Sequence, residues 1–136
     1  MKRISYLRIM AFCALAACSQ KDTNTTTAYK VNESQSSIEW KGSAPTHFHR
    51  GAFKVSGTLQ TNKERKITGG DFNIPIASIS NFDLSGEEQN ELLKHLKSSD
   101  FFNVAIHPEA RFHITKVEDY TDASSPANAK ITGEFT

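Results

Sequence analysis

Two histidines, His47 and His49, have a spacing that would let them share a metal ion. Side chains two residues apart on a strand point to the same side, and imidazole nitrogen is a common zinc ligand. The sequence has five histidines, but it contains no HExxH motif, no cysteine cluster and no third ligand at a familiar spacing. His95 lies among helix charges, and His113 alternates outward with Arg111. We therefore expect rim or surface histidines and no metal site.

Residues for nucleophilic catalysis are present but never in a recognisable arrangement. The sequence lacks a G-x-S-x-G elbow, which places a serine nucleophile on a tight turn between a strand and a helix. Asp100 follows Ser98 and Ser99, where an aspartate typically accepts hydrogen bonds within a turn. The sequence therefore predicts a protein that is not an enzyme and that uses no cofactor.

Strand patterns provide the remaining functional candidates. The clearest lies at 51–61, where Phe53, Val55, Gly57 and Leu59 alternate with polar residues, as in a half-buried strand. Adjacent glycines often mark a bulge or bend in a strand, and the pair at 69–70 lies inside such a segment. The predicted strands are 38–41, 51–61, 66–79, 110–118 and 130–136, with a sixth at 29–31 if it pairs separately.

One helix is predicted over 86–97, between the strands. Three leucines at helical spacing, Leu92, Leu93 and Leu96, form one apolar face. Ser85 followed by Glu88 has the spacing of a capping box, which would start this helix. Several antiparallel strands with one helix predict a mainly β fold, a β-barrel with one inserted helix.

Composition predicts one globular domain without a nucleic-acid partner. The chain has 136 residues, of which 38% are hydrophobic and 23% are charged, and both values are ordinary. Its 16 basic and 15 acidic residues leave a net charge of +1. Nucleic-acid binding usually requires a clustered basic surface, which this balance does not indicate.

The first 18 residues resemble a bacterial lipoprotein signal peptide. Lys2, Arg3 and Arg8 precede the apolar run 9–15, which is too short to span a bilayer. Small residues before Cys18, in the order Leu-Ala-Ala-Cys, resemble the lipobox at which such peptides are cleaved. Cys18 would then be the acylated N-terminus, held by several acyl chains. An ordinary signal peptide with an incidental Cys18 is the alternative.

Cysteine usage favours the lipid anchor. Of the two cysteines, Cys13 lies in the segment to be removed, so the exported chain would keep a single thiol. Polar residues at 19–28 lack hydrophobic periodicity and are typical of a flexible tether. We expect a protein exported to the bacterial cell envelope and anchored there in a membrane.

A longer pattern resembles the YceI-like family of bacterial envelope proteins. LKHLKSSDFFNV at 93–104, followed by HPEARFHITKV at 107–117, is similar to the signature of that family. The similarity extends back to Ser-Ile-Glu-Trp at 37–40 and covers roughly 29–136. The resemblance implies a lipocalin-like antiparallel β-barrel whose apolar interior holds a polyisoprenoid or another long lipid, such as a quinone or acyl chain.

The inward apolar residues are the ligand-binding candidates that follow from this resemblance and from the alternation. Eight lie on strands, and four belong to the helix and the turn after it, where they would close over the ligand. They are Phe53, Val55, Leu59, Phe72, Ile74, Ile76, Phe112 and Ile114 on the strands, and Leu92, Leu96, Phe101 and Phe102 after them.

Pattern alone does not distinguish a hollow barrel from a filled one. A structural or stress-related envelope module with a filled barrel is the main alternative function, followed by an envelope hydrolase or a metal-binding protein. The five or six predicted strands are fewer than the roughly eight of small ligand-binding barrels. We therefore expect the barrel to be incomplete at its C-terminus, with an exposed edge that pairs with other chains.

Overall fold

The fold was taken from a computed structural model, which describes residues 25–136. The predicted signal peptide, Cys18 and most of the predicted tether lie outside the described residues. The described part contains eight strands, one α-helix and one short 3-10 helix. The elements are β1 Thr27–Lys30, β2 Ser37–Ser43, β3 Phe48–Lys54, β4 Ser56–Thr61, β5 Ile67–Pro75, the 3-10 helix Ile76–Ser78, β6 Ser80–Asn81, α1 Gly86–Lys97, β7 Glu109–Asp119 and β8 Ala129–Phe135.

The strands form two antiparallel sheets. Sheet A has five strands in the order β1-β4-β5-β7-β8, and sheet B has three in the order β2-β3-β6. The mainly β, antiparallel architecture with one helix is therefore confirmed. Strands β1 and β8 are the edges of sheet A, and β2 and β6 are the edges of sheet B. Within residues 25–136 the strands form no closed ring, so the predicted barrel closure is not observed there.

The prediction of one continuous strand over 51–61 is wrong. The chain leaves sheet B after Lys54, passes Val55 without strand pairing and enters sheet A at Ser56. Gly57 has a φ of 135°, and a Cβ atom there would clash with the Asp71 carbonyl oxygen. Only glycine tolerates this conformation so close to a neighbouring backbone. The alternation of side chains continues through the bend, so periodicity did not reveal it.

The prediction of one strand over 66–79 is also wrong. Strand β5 ends at Pro75, and a 3-10 helix separates it from the short β6. Ser78 stabilises this corner, because its hydroxyl donates to the Pro75 carbonyl oxygen and accepts from the Lys54 N–H. The chain therefore moves from sheet A to sheet B here, just as it moves between the sheets at Val55.

The bulge predicted beside Gly69 is confirmed. Gln60 of β4 pairs with Gly69, whereas the next residue, Thr61, pairs with Ile67. Thr68 is therefore the additional residue on β5, and an extra residue of this kind increases the local bend of a strand.

Helix α1 has the predicted bounds, but its N-terminus is held differently from the prediction. Ser85 is the N-cap residue, yet its side chain makes no capping hydrogen bond. The Gln89 side-chain amide instead donates to the carbonyl oxygens of Asn81 and Leu84, each at 3.0 Å. These bonds tie the first turn of the helix to the end of β6.

A compact cluster fills the interior beneath the helix. Phe53, Ile74, Ile76, Ile79 and Leu96 are all buried and pack together. Trp40 packs against this cluster and donates its indole N–H to the Ser80 carbonyl oxygen at 3.1 Å. Buried aromatic nitrogen needs such a partner. Within residues 25–136, no helix combines the length and the apolar content that crossing a membrane requires.

Candidate ligand cavity

A cavity of about 730 Å³ lies between the two sheets, next to the packed cluster. Its volume falls in the range of about 300–1,000 Å³ typical of small-molecule sites. Eleven of its sixteen lining residues are apolar. The lining consists of Val31, Ser36, Ser37, Ile38, Phe53, Val55, Phe72, Ile74, Ile76, Phe102, His107, Glu109, Ala110, Phe112, Phe135 and Thr136.

Strand register places the apolar lining on facing strands. In sheet A, Phe72 is paired with Phe112, which is paired in turn with Phe135 of β8. In sheet B, Ile38 is paired with Phe53. Side chains of directly paired residues lie on the same face of a sheet. Each sheet therefore presents one continuous apolar face to the cavity.

Aromatic rings form much of the wall. The rings of Phe72 and Phe112 are stacked, with centroids 6.4 Å apart. At the other end of the cavity, the rings of Phe53 and Phe102 meet edge to face at 5.9 Å. Phe102 comes from the turn after α1, where its N–H donates to the Leu96 carbonyl oxygen. This hydrogen bond returns the chain beneath the helix and brings a helix-side residue into the cavity wall.

The polar lining residues come from chain segments at the ends of strands. Ser36 and Ser37 lie at the start of β2, His107 and Glu109 at the start of β7, and Thr136 directly after β8. Glu109 accepts two hydrogen bonds from the Arg111 guanidinium, at 3.1 and 3.2 Å. All five polar lining residues therefore lie where strands begin or end, and the rest of the wall is apolar. Such a cavity is suited to a mainly apolar ligand.

Seven of the twelve predicted ligand-binding residues line the cavity. They are Phe53, Val55, Phe72, Ile74, Ile76, Phe102 and Phe112. Their shared signal was period-two alternation, together with the helix-to-turn pattern for Phe102.

The other five predicted residues have different environments and are not among the lining residues. Leu96 is buried in the packed cluster, with Leu92 against its side. Leu59 and Ile114 lie farther along sheet A, paired with Gly70 and Gly133. Phe101 is 57% exposed and does not line the cavity, so its predicted place over the ligand stays a prediction. Of these two adjacent phenylalanines in the turn, only Phe102 points inward.

Four apolar lining residues were not predicted to bind ligand: Val31, Ile38, Ala110 and Phe135. Ile38, Ala110 and Phe135 each belong to a predicted strand and alternate in phase with residues such as Phe112. This alternation could have identified the three residues as inward-facing from the sequence. The polar residues at the strand ends had no such signal, because loops carry no periodicity.

Two histidines, His49 and His113, form pairs with carboxylates and are not among the cavity-lining residues. The Nδ1 atom of His49 lies 2.7 Å from Asp83, and that of His113 lies 2.5 Å from Asp71. The backbone N–H of Arg50 and the His49 side chain both bond the Asp83 carboxylate, and they hold the pKa of Asp83 below its ordinary value. In the part of the chain that the structure describes, no three histidine, cysteine or acidic side chains are placed to hold a metal ion.

Comparison with known proteins identifies the family. Residues 29–136 match the family described as YceI-like domain. The chain therefore belongs to the YceI-like family, and the resemblance seen in the sequence is confirmed. Among curated proteins, no matching relative was found.

Proposed function

We propose that this protein binds a long apolar lipid, a polyisoprenoid, a quinone or an acyl chain, in the cavity between its sheets, without catalysing a reaction. The observation that carries the proposal is the cavity itself, about 730 Å³ in volume and walled mainly by aromatic and aliphatic side chains. Membership of the YceI-like family supports a binding role.

Apolar burial would supply most of the binding free energy. Each methylene moved from water into such a cavity contributes about 0.8 kcal/mol, so ten of them contribute on the order of 8 kcal/mol before costs. Ordering a flexible chain and losing its free motion offset part of this gain. A longer chain gains more than a short one, and this favours long lipids over small apolar molecules.

The same proposal includes a lipocalin-like barrel as the architecture around the ligand. Sheets A and B are joined where β3 leads into β4 and where β5 leads into β6, and both sheets line the cavity. They would be the two parts of one barrel wall, with the ligand between them.

Anchoring through an acylated Cys18 would hold this cavity beside the bacterial envelope membrane from which lipids are taken. The support is the sequence pattern of basic residues, a short apolar run and Leu-Ala-Ala-Cys. Cys18→Ser should move the protein from the membrane fraction to the soluble fraction. An unchanged membrane fraction would refute the anchor and leave the cavity proposal intact.

Mass spectrometry of lipids extracted from natively purified protein tests the cavity. We expect one class of long apolar lipid in the unmodified protein. Ala110→Phe should strongly reduce it, because Ala110 lines the cavity and a phenyl ring there would occupy the space of the ligand. Ala28→Phe is the matched control, since Ala28 is exposed on β1. Equal lipid content in both variants would contradict the proposal.

A filled structural module of the envelope is the second candidate, and the packed cluster beneath α1 favours it. That cluster occupies one end of the interior with protein side chains. If the rest of the interior also closes in solution, extraction should yield no lipid, and Ala110→Phe should destabilise the fold by overpacking.

A further inference from the structure

The outer face of sheet B carries two exposed phenylalanines beside two cations. Phe48 is 51% exposed and Phe82 is 55% exposed. Lys41 and Arg50 are exposed next to them. We call Lys41, Phe48, Arg50 and Phe82 the basic-aromatic face. Large apolar side chains gain nothing from exposure in water, so a cluster of them beside charges indicates a contact surface.

Backbone pairing holds these four residues together. Lys41 of β2 is paired directly with Arg50 of β3, and the Lys41 ammonium lies 4.4 Å from the centroid of the Phe48 ring. The N–H of Phe82 donates to the Arg50 carbonyl oxygen at 2.9 Å. Arg50 therefore lies between the other cation on one side and Phe82 on the other. Lys41, Phe48 and Arg50 are carried by two paired strands, and Phe82 directly follows β6.

The face is separate from the cavity. Phe53 lines the cavity. Phe48 and Arg50 lie five and three residues before Phe53 on the same strand. Because side chains alternate along a strand, an odd separation places them on the opposite side of the sheet. Substitutions on the basic-aromatic face should therefore leave the cavity wall unchanged.

Local charge on this side of sheet B is positive. On β3, Lys54 lies on the same face as Arg50, and on β2, Glu39 lies on the same face as Lys41. The strands of this face therefore carry three cations, Lys41, Arg50 and Lys54, and one carboxylate, Glu39. The nearby Asp83 is bonded by His49 and by the Arg50 N–H.

We propose that the basic-aromatic face docks on the surface of a membrane that contains anionic phospholipids. Phenylalanine rings would enter the boundary between headgroups and acyl chains, and Lys41 and Arg50 would lie beside the lipid phosphates. Amphipathic surfaces that lie in the membrane interface combine the same two features, apolar rings and basic side chains. This contact would orient the protein on the membrane independently of any lipid in the cavity.

Co-sedimentation with lipid vesicles tests the proposal. The protein is the exported full chain with Cys18→Ser, so that an acyl anchor does not hold it. Vesicles of phosphatidylcholine alone are compared with vesicles that also contain phosphatidylglycerol. We expect binding only to the anionic vesicles, and we expect it to weaken as salt is added.

Two pairs of substitutions separate the contributions. Lys41→Gln and Arg50→Gln should each weaken binding about fivefold, and the double variant roughly thirtyfold, the size expected for one surface cation each. Phe48→Ser with Phe82→Ser should weaken binding at every salt concentration. Because both rings are more than half exposed, these variants should fold, and circular dichroism checks this. Phe48→Tyr and Phe82→Tyr should retain binding.

Matched controls lie elsewhere on the surface. Lys116→Gln and Ile106→Ser remove an exposed cation and an exposed apolar side chain outside sheet B, and they should leave binding unchanged. Binding that is insensitive to the Lys41 and Arg50 substitutions would overturn the proposal. So would equal binding to phosphatidylcholine alone, or binding of this face only to an acidic protein.

Discussion

The two ends of the interior are built from the same kind of strand but are filled differently. Beneath α1, the Phe53 and Ile76 side chains pack against the buried Leu96. Towards Phe72, Phe112 and Phe135, the apolar faces border an open cavity of about 730 Å³. An apolar strand face is therefore a core where another element supplies side chains to fill it, and the wall of a cavity where none does.

The helix makes this difference. Its leucines and the returning Phe102 reach the residues near the corner between β5 and β6. Phe72 and Phe112 lie farther along sheet A, and their rings stack on each other instead. Close packing stabilises the fold at one end, whereas the other end keeps unfilled space.

The largest expected effect is the introduction of a charge where the two ends meet. Phe53 is only 9% exposed and belongs to both the packed cluster and the cavity wall. Phe53→Asp should lower the free energy of unfolding by at least about 4 kcal/mol, through lost burial and an unpaired buried charge. Urea denaturation measures this. Lys54→Asp, on the exposed side of the same strand, should cost little, and equal losses would refute the assignment of faces.

Truncating a side chain to alanine should lower the free energy of unfolding by different amounts at the two ends of the interior. Leu96→Ala removes a side chain from the packed cluster and should cost about 2–5 kcal/mol of unfolding free energy. Phe112→Ala, beside the cavity, should cost only about 1–2 kcal/mol because its ring already borders empty space. Lipid content should fall in Phe112→Ala and stay unchanged in folded Leu96→Ala. A larger stability loss for Phe112→Ala would show that the cavity is not empty of side chains in solution.

The crossing between the sheets can be tested at Gly57. Gly57→Ala should cost about 3 kcal/mol, because a side chain at its φ is strained and would clash with the Asp71 carbonyl oxygen. Gly86, with a φ of 62°, has no atom within 4 Å of the position that a Cβ would occupy, so Gly86→Ala should cost only about 1 kcal/mol. Thermal unfolding of both variants compares them. Equal costs would mean that the bend at Gly57 relaxes freely.

The smallest effect concerns Asp83, which ties the outside of the packed end together. The pKa of Asp83 in the folded protein is below its ordinary value, chiefly because the Arg50 N–H and the His49 side chain bond the carboxylate. Its stabilisation is therefore present at neutral pH and lost as the pH falls through the folded-state pKa, which lies below the ordinary pKa of an aspartate. Asp83→Asn should lower stability slightly at pH 7 and should flatten the decline in acid. Parallel melting curves of both proteins between neutral and acidic pH test this.

The sequence predicted much of the local structure because local signals were strong. The bounds of α1 follow from its leucine spacing and from the turn residues after it, and the bulge at Thr68 lies beside the glycine pair that indicated it. Six of the seven predicted cavity residues followed from alternation, since direct neighbours on a strand must face opposite sides, and Phe102 followed from the helix-to-turn pattern. Cys18 and its anchor stay a prediction.

The capping hydrogen bond of Ser85 was predicted but not observed, and the reason is tertiary. Gln89 is placed by the end of β6 to bond the carbonyl oxygens before the helix, and no pattern within the helix indicates that contact. Tertiary contact also explains why Phe102 points inward and Phe101 does not. The Phe53 ring packs against Phe102 and provides a partner for only one of the two rings.

By itself, the sequence determined which residues are apolar, where they alternate and where the helix lies. Only the tertiary structure decided that 51–61 is shared between two sheets, because a strand keeps its alternation through a bend. The tertiary structure also decided which part of the apolar strand faces is covered by packed side chains and which part borders the cavity. Whether a face is filled depends on how far α1 reaches along the sheets. This is a distance between elements, and the hydrophobic periodicity of the helix or of a strand does not indicate it.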